Sequence, residues 1–290
     1  MKITRARALA LTAAALVLPQ CSRRGAIRIG SKNFSENITV AEIYAAALEV
    51  HGLAIDRHMN LGSTQIAMAA IQRGDIQIYP EYTGTALIDV LHLPPMRSPN
   101  ALLDVIRREY MRRFNLSILN PSPGNDSQGL AVTQSVATKY GMRTLSQCAK
   151  AAPQLRLAAV PEFVSRADAL PGLQKFYGGF AFKSVRTFEI GLQYEALARG
   201  DADVATAFTT DAQITAKNLI VLDDDRHFWP PYNIVPVVSF AGMSQTLRRS
   251  IAGTLDRVTE GLTDVALRRL NYEVDIKKRD PADVASEFIY

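Results

Sequence analysis

One nine-residue pattern occurs twice in the chain, 126 residues apart, and it limits the fold more than any other feature. The first copy is Ala70-Ile71-Gln72-Arg73-Gly74-Asp75-Ile76-Gln77-Ile78, the second Ala196-Leu197-Ala198-Arg199-Gly200-Asp201-Ala202-Asp203-Val204. Each reads as a helix stopped at Gly and followed at Asp by a strand. Eight residues past each Gly stands an aromatic followed by Thr: Tyr82-Thr83 and Phe208-Thr209. Helix stops recur freely by chance; the matching aromatic does not. The pattern predicts two α/β lobes, each presenting an aromatic beyond the carboxyl end of an equivalent strand, where open sheets of this class bind ligands.

The rest of the chain agrees. Apolar runs predict strands at 27–29, 55–59, 75–79, 116–119, 129–133, 155–159, 185–188, 204–208 and 235–240. Helical spacing falls between them, near 64–73, 100–114, 166–176, 191–199 and 244–270. Thr39-x-x-Glu42 has the form of a capping box ahead of Val40, Ile43, Tyr44, Ala47 and Leu48. Such alternation predicts an α/β protein with mainly parallel sheets, and 290 residues suffice for two lobes with their own cores.

The N-terminus sets the compartment. Lys2, Arg5 and Arg7 precede an apolar run from Ala8 to Leu18, too short to span a bilayer and laid out as a secretory signal over residues 1–20. Leu18-Pro19-Gln20-Cys21 resembles a lipobox, although Gln20 stands where a small residue is usual. Cys21 is the candidate lipid anchor, at the head of a linker over 21–26; a cleaved protein in which Cys21 is incidental is the other reading. Without the three leader cations, the formal charge of +5 falls to +2, which argues against a nucleic-acid partner. Two cysteines, Cys21 and Cys148, and four scattered histidines give no disulfide framework and no metal set.

Four blocks carry a family resemblance: Ile29-Gly30-Ser31-Lys32-Asn33-Phe34-Ser35-Glu36, Tyr79-Pro80-Glu81-Tyr82-Thr83-Gly84-Thr85, Thr209-Thr210-Asp211 and Phe228-Trp229-Pro230-Pro231-Tyr232-Asn233. With Tyr272-Glu273-Val274-Asp275 near the end, they resemble the substrate-binding subunits of ABC importers for glycine betaine, carnitine and choline. The resemblance implies a two-lobed, type II periplasmic-binding-protein fold with its ligand in the interlobe cleft. Lobe 1 is expected over 27–124 plus 230–290 and lobe 2 over 125–229. It further implies an exported monomer with no cofactor, working with a permease and its ATPase subunit in the periplasm or cell envelope.

The ligand's physics explains the residue types. A trimethylammonium group is charged but has no N–H, so it is held by aromatic faces at about 0.5–2 kcal/mol each. The resemblance implies a four-walled cage, with Tyr82 and Tyr232 in place, Phe208 keeping a ring without the hydroxyl, and Gln128 standing where a Tyr is expected. It assigns a ligand carboxylate to Lys32 and Arg166, with the Thr85 hydroxyl nearby; Thr209 adjoins the third wall. Two cations favour a betaine or carnitine over choline.

Other classes stay open on the residues alone. Another cationic or zwitterionic solute would suit the same blocks. A cell-envelope hydrolase would show two carboxylates of divergent acidity, and an envelope adaptor would have a degenerate cleft. Hydrolase, nucleotide-binding and zinc-protease signatures are missing from the sequence.

Overall fold

The computed structural model describes residues 25–166 and 168–289. The leader and Cys21 lie outside them. Ten strands are β1 (Ile27–Gly30), β2 (Ile55–His58), β3 (Ile78–Tyr82), β4 (Ser117–Ile118), β5 (Gln128–Thr133), β6 (Arg156–Ala159), β7 (Ser184–Thr187), β8 (Val204–Phe208), β9 (Leu219–Val221) and β10 (Ile234–Val238). They form two five-stranded sheets, β2-β1-β3-β10-β4 and β7-β6-β8-β5-β9. Helices lie between the strands, so the α/β class is right.

The expectation of mainly parallel sheets needs correction. β2-β1-β3 and β7-β6-β8 are parallel, but β10 runs antiparallel to β3 and β4, and β5 antiparallel to β8 and β9. The reason is connectivity. A parallel neighbour needs a crossover that brings the chain back to the same end. β5 receives the chain from the first sheet and β10 returns it from the second; both enter from the opposite end, beside the strand that carries the echoed aromatic.

The sequence echo is a structural repeat. β3 and β8 are both five residues long, and their ends Tyr82 and Phe208 keep the 126-residue offset. Gly74 and Gly200 both turn through the left-handed region, at φ 77° and 75°. An arginine on the neighbouring parallel strand holds each Gly carbonyl, Arg28 Nη2 to Gly74 at 2.9 Å and Arg156 Nη2 to Gly200 at 2.8 Å.

β3 begins three residues later than its apolar run predicts and passes through Pro80. Having no N–H, Pro80 cannot continue the ladder toward β1, which holds a single register pair, Ile29↔Ile78. Asn37 Nδ2 takes the Pro80 carbonyl instead, at 2.9 Å. The strand break thus admits side chains from the β1 loop and from the following helix.

That helix spans Ser35–Val50, starting four residues before Thr39. The expected capping box is not formed: the Thr39 hydroxyl donates to the Ser35 carbonyl at 2.8 Å and Glu42 accepts from Arg57 Nε at 2.8 Å. Asn37 instead ties the start, its Oδ1 accepting from the Lys32 backbone N–H at 2.7 Å, and Glu36 is carried into the first turn. The long C-terminal helix expected over 244–270 is two, Gln245–Glu260 and Asp264–Asn271, divided at Thr263, whose hydroxyl caps the second. The helix expected over 166–176 is Leu170–Tyr177, and a separate short helix, Pro161–Ser165, precedes Arg166. Buried side chains from both sheets, among them Tyr82, Leu130, Trp229 and Tyr232, form one continuous apolar cluster.

Gly84 marks the tightest approach between the β3 turn and the returning chain. A Cβ there would lie 2.6 Å from Tyr232 Cε1 and 2.9 Å from the Pro231 carbonyl oxygen. Gly84→Ala is expected to destabilise the protein by about 1–3 kcal/mol through overpacking, read as a lowered midpoint in urea with an unchanged slope. An unshifted midpoint would show that Tyr232 yields without cost.

Candidate functional site

Tyr82 ends β3 as a buried residue, held at both ends. Its hydroxyl donates to Glu36 Oε1 at 2.8 Å, and its backbone N–H donates to Glu81 Oε1 at 2.8 Å. Phe34 stacks on the ring at 6.0 Å between centroids, and Lys32 Nζ stands 4.7 Å from the ring centre. A cation therefore rests on the face of Tyr82, the geometry an aromatic quadrupole favours. The Lys32 ammonium is buried and paired, 2.5 Å from Glu81 and 3.3 Å from the Thr64 hydroxyl.

Arg166 is engaged in a similar way. Nε and Nη2 form a fork on Asp168, at 2.8 and 2.6 Å, and Nη1 stands 3.6 Å from Asp89. Asp89 lies in the π-type turn Ala86–Val90 that follows β3, so the guanidinium links the two sheets' layers. Asp168 gathers further donors: Gln128 Nε2 at 3.1 Å and the Tyr232 hydroxyl at 3.1 Å. Its backbone carbonyl takes the Trp229 indole N–H at 2.8 Å. Burial opposes the Asp168 charge, but Arg166 and Tyr232 outweigh it and hold the carboxyl below the ordinary aspartate range. Burial raises Asp89, against the pull of Arg166.

The remaining candidates separate. Gln128 and Phe208 are directly opposite each other across the β5–β8 ladder. Phe208 is 41% exposed, so the structure does not close it over Tyr82 as a third wall. Thr209 is structural: its hydroxyl donates to the Asn125 carbonyl at 2.7 Å and accepts from the Ser127 N–H at 2.9 Å, tying the crossing strand to the β8 loop. Thr85 sits half-buried on the turn after β3. A cavity of about 590 Å³ opens along the two crossing segments, lined by Gln128, Thr209, Asn125, His227 and Trp229 among others, with Tyr82, Lys32 and Arg166 outside its lining.

Sequence reasoning missed Phe34, Glu36, Asp89 and Asp168. Phe34 and Glu36 lay within a quoted block and could have been raised by it. Asp89 and Asp168 had no local signal beyond closeness to Thr85 and Arg166.

A family model described as the substrate binding domain of ABC-type glycine betaine transport systems matches residues 25–290. The chain belongs to that family. A glycine-betaine-binding protein of Pseudomonas aeruginosa is 30% identical over 98% of this chain and 93% of its own length. The ergothioneine transport permease/ergothioneine binding protein EgtU of Helicobacter pylori is 31% identical over 90% of this chain, which spans 46% of that protein. A crystal structure of a glycine betaine/carnitine/choline ABC transporter component superposes with a TM-score of 0.81 at 31% identity, over 91% of this chain and 97% of that one. The fold is the two-lobed type II periplasmic-binding-protein fold. Family members are extracytoplasmic solute-binding proteins, and among the described residues no helix is long and apolar enough to cross a membrane.

Asp168→Asn in this family member is expected to cost about 1–2 kcal/mol of stability, reduced from the value for a fully buried pair because Arg166 is 37% exposed. Trp229 is the chain's single tryptophan. Its fluorescence should shift in the variant, because its indole N–H is bonded to the Asp168 main-chain carbonyl and loss of the Arg166 fork lets that segment move. Unchanged stability and emission would show Asp168 to be peripheral.

Proposed function

We propose that this chain captures a quaternary ammonium compound between two lobes, 27–124 plus 230–290 and 125–229, and delivers it to an ABC permease driven by its ATPase subunit. The observation that carries this reading is the cation held 4.7 Å over the Tyr82 face, in a junction rich in carboxylates and backed by Phe34. A ligand's trimethylammonium would meet Tyr82, Tyr232 and the Gln128 amide, with Phe208 brought in as the lobes approach. The protein acts as an exported monomer, anchored through Cys21 where that residue is lipidated.

The structure bears on the choice among ligands. Arg166 keeps Nη1 turned toward Asp89 while its other two donors hold Asp168, so a ligand carboxylate would displace Asp89 rather than find an open fork.

Solute capture also fits better than hydrolysis. Asp89 and Asp168 are shifted in opposite directions, the feature a hydrolase would show, but both face Arg166. The Asp168 carboxylate accepts four hydrogen bonds, two of them from the Arg166 fork that holds it ionised.

Calorimetric titration with glycine betaine, carnitine, choline and ergothioneine tests the reading. At least one should bind, and Tyr82→Ala should weaken it. Arg166→Ala should cost a carboxylate-bearing ligand about 2–4 kcal/mol and choline much less. No binding by any of the four would overturn the proposal, whereas equal losses would mean that Arg166 acts only through Asp168.

A further inference from the structure

Glu36 and Asp126 belong to one hydrogen-bonded cluster where the two lobes meet, and among the described residues neither is bonded to a cation. Glu36 is buried in the first turn of its helix; Oε1 accepts from the Tyr82 hydroxyl at 2.8 Å and Oε2 from Asn271 Nδ2 at 2.7 Å. Asp126 accepts from the Thr210 hydroxyl at 2.6 Å, and the Thr210 carbonyl accepts from the Asn271 amide that also bonds Glu36, so both carboxyls belong to one cluster. All of these donors are neutral.

The surrounding charges do not supply the missing cation. Lys32 is committed to Glu81, and Arg268 Nε donates to the Thr209 carbonyl at 2.9 Å. Asp211, bonded by Tyr194 and the Phe208 N–H, and Asp275 add negative charge. A second observation points the same way. Asn271, 4% exposed, gives both amide hydrogens away, to Glu36 and to the Thr210 carbonyl at 2.9 Å, while its Oδ1 is a buried acceptor without a donor. The cluster holds more acceptors than hydrogens, and one proton between the carboxyls relieves it.

We propose that Glu36 positions the Tyr82 wall and that Glu36 and Asp126 hold one proton between them when the lobes are together, so that ligand capture takes up a proton. The inference rests on Tyr82 being a wall of the ligand site. Glu36 moves with Tyr82 and β3, Asp126 and Thr210 with the second sheet. Parting the lobes gives each carboxyl to water, where both ionise and the proton leaves. Burial raises both groups above their ordinary values in the closed arrangement, and the Glu36 charge adds to the rise at Asp126. The sign follows: the closed form gains the proton, so affinity is greatest in acid and falls as pH rises from the ordinary carboxylate range to the raised one.

The test is calorimetry on the full chain from pH 5 to 8 with glycine betaine and choline, whose charges do not change there. Wild type should weaken by about tenfold per pH unit over part of that range. Binding heats in two buffers of different ionisation enthalpy should show about one proton taken up. Glu36→Gln keeps an acceptor for Tyr82 but cannot ionise; it should bind with a flat pH profile and no proton uptake. Asp126→Asn should do the same, and serves if Glu36→Gln fails to fold. A flat wild-type profile, or a slope retained in the variants, overturns this inference alone. Absence of binding at every pH overturns the functional reading beneath it.

Discussion

A carboxylate buried where two lobes meet has to be answered by donors from both, and Asp168 is where this chain meets that demand. An ionised group removed from water without partners would cost several kcal/mol. Here the compensation comes from a guanidinium two residues away, an amide on β5 and a hydroxyl on the returning segment at Tyr232. None of these alone suffices, so the position of each is fixed by the others. Tyr232 is pinned against Gly84, Trp229 is anchored on the Asp168 carbonyl, and Arg166 is turned toward Asp89.

Much of the fold was legible because its signals are local. A Gly in the left-handed region, an Asp directly after it and the apolar runs that follow are written within a few residues, which is why β3 and β8 can be paired across 126 residues from the sequence. What could not be read was set by contacts between distant segments. The strand expected over 75–79 instead starts at Ile78 and passes through Pro80, whose carbonyl is taken by Asn37. The first helix begins at Ser35 rather than at Thr39 because Asn37 bonds the Lys32 N–H, a fact of tertiary placement that no capping motif encodes.

The candidate site shows the same division. Residue types that favour a cation on aromatic faces were visible at Tyr82 and Tyr232, and the structure buries both. The partners of charged groups were not visible. Lys32 and Arg166 looked like two spare cations because the sequence does not say that Glu81 and Asp168 are already set against them. A charge inferred from composition is only an upper bound on the charge a ligand meets.

The contacts between the lobes also set how much a ligand must contribute. The Arg166–Asp89 approach is long, at 3.6 Å, and Arg166 is 37% exposed; such a pair is worth at most about 1 kcal/mol. The Tyr232–Asp168 and Asn271–Thr210 hydrogen bonds each add a net amount of about 0.5–1.5 kcal/mol. Contacts of this size lower the cost of bringing the lobes together without fixing them there. A much stronger clamp would hold the lobes shut with nothing captured, and a receptor shut in that state cannot report the ligand's presence. Neutral donors and a half-exposed ion pair leave the two arrangements close enough in free energy for a bound solute to shift the balance.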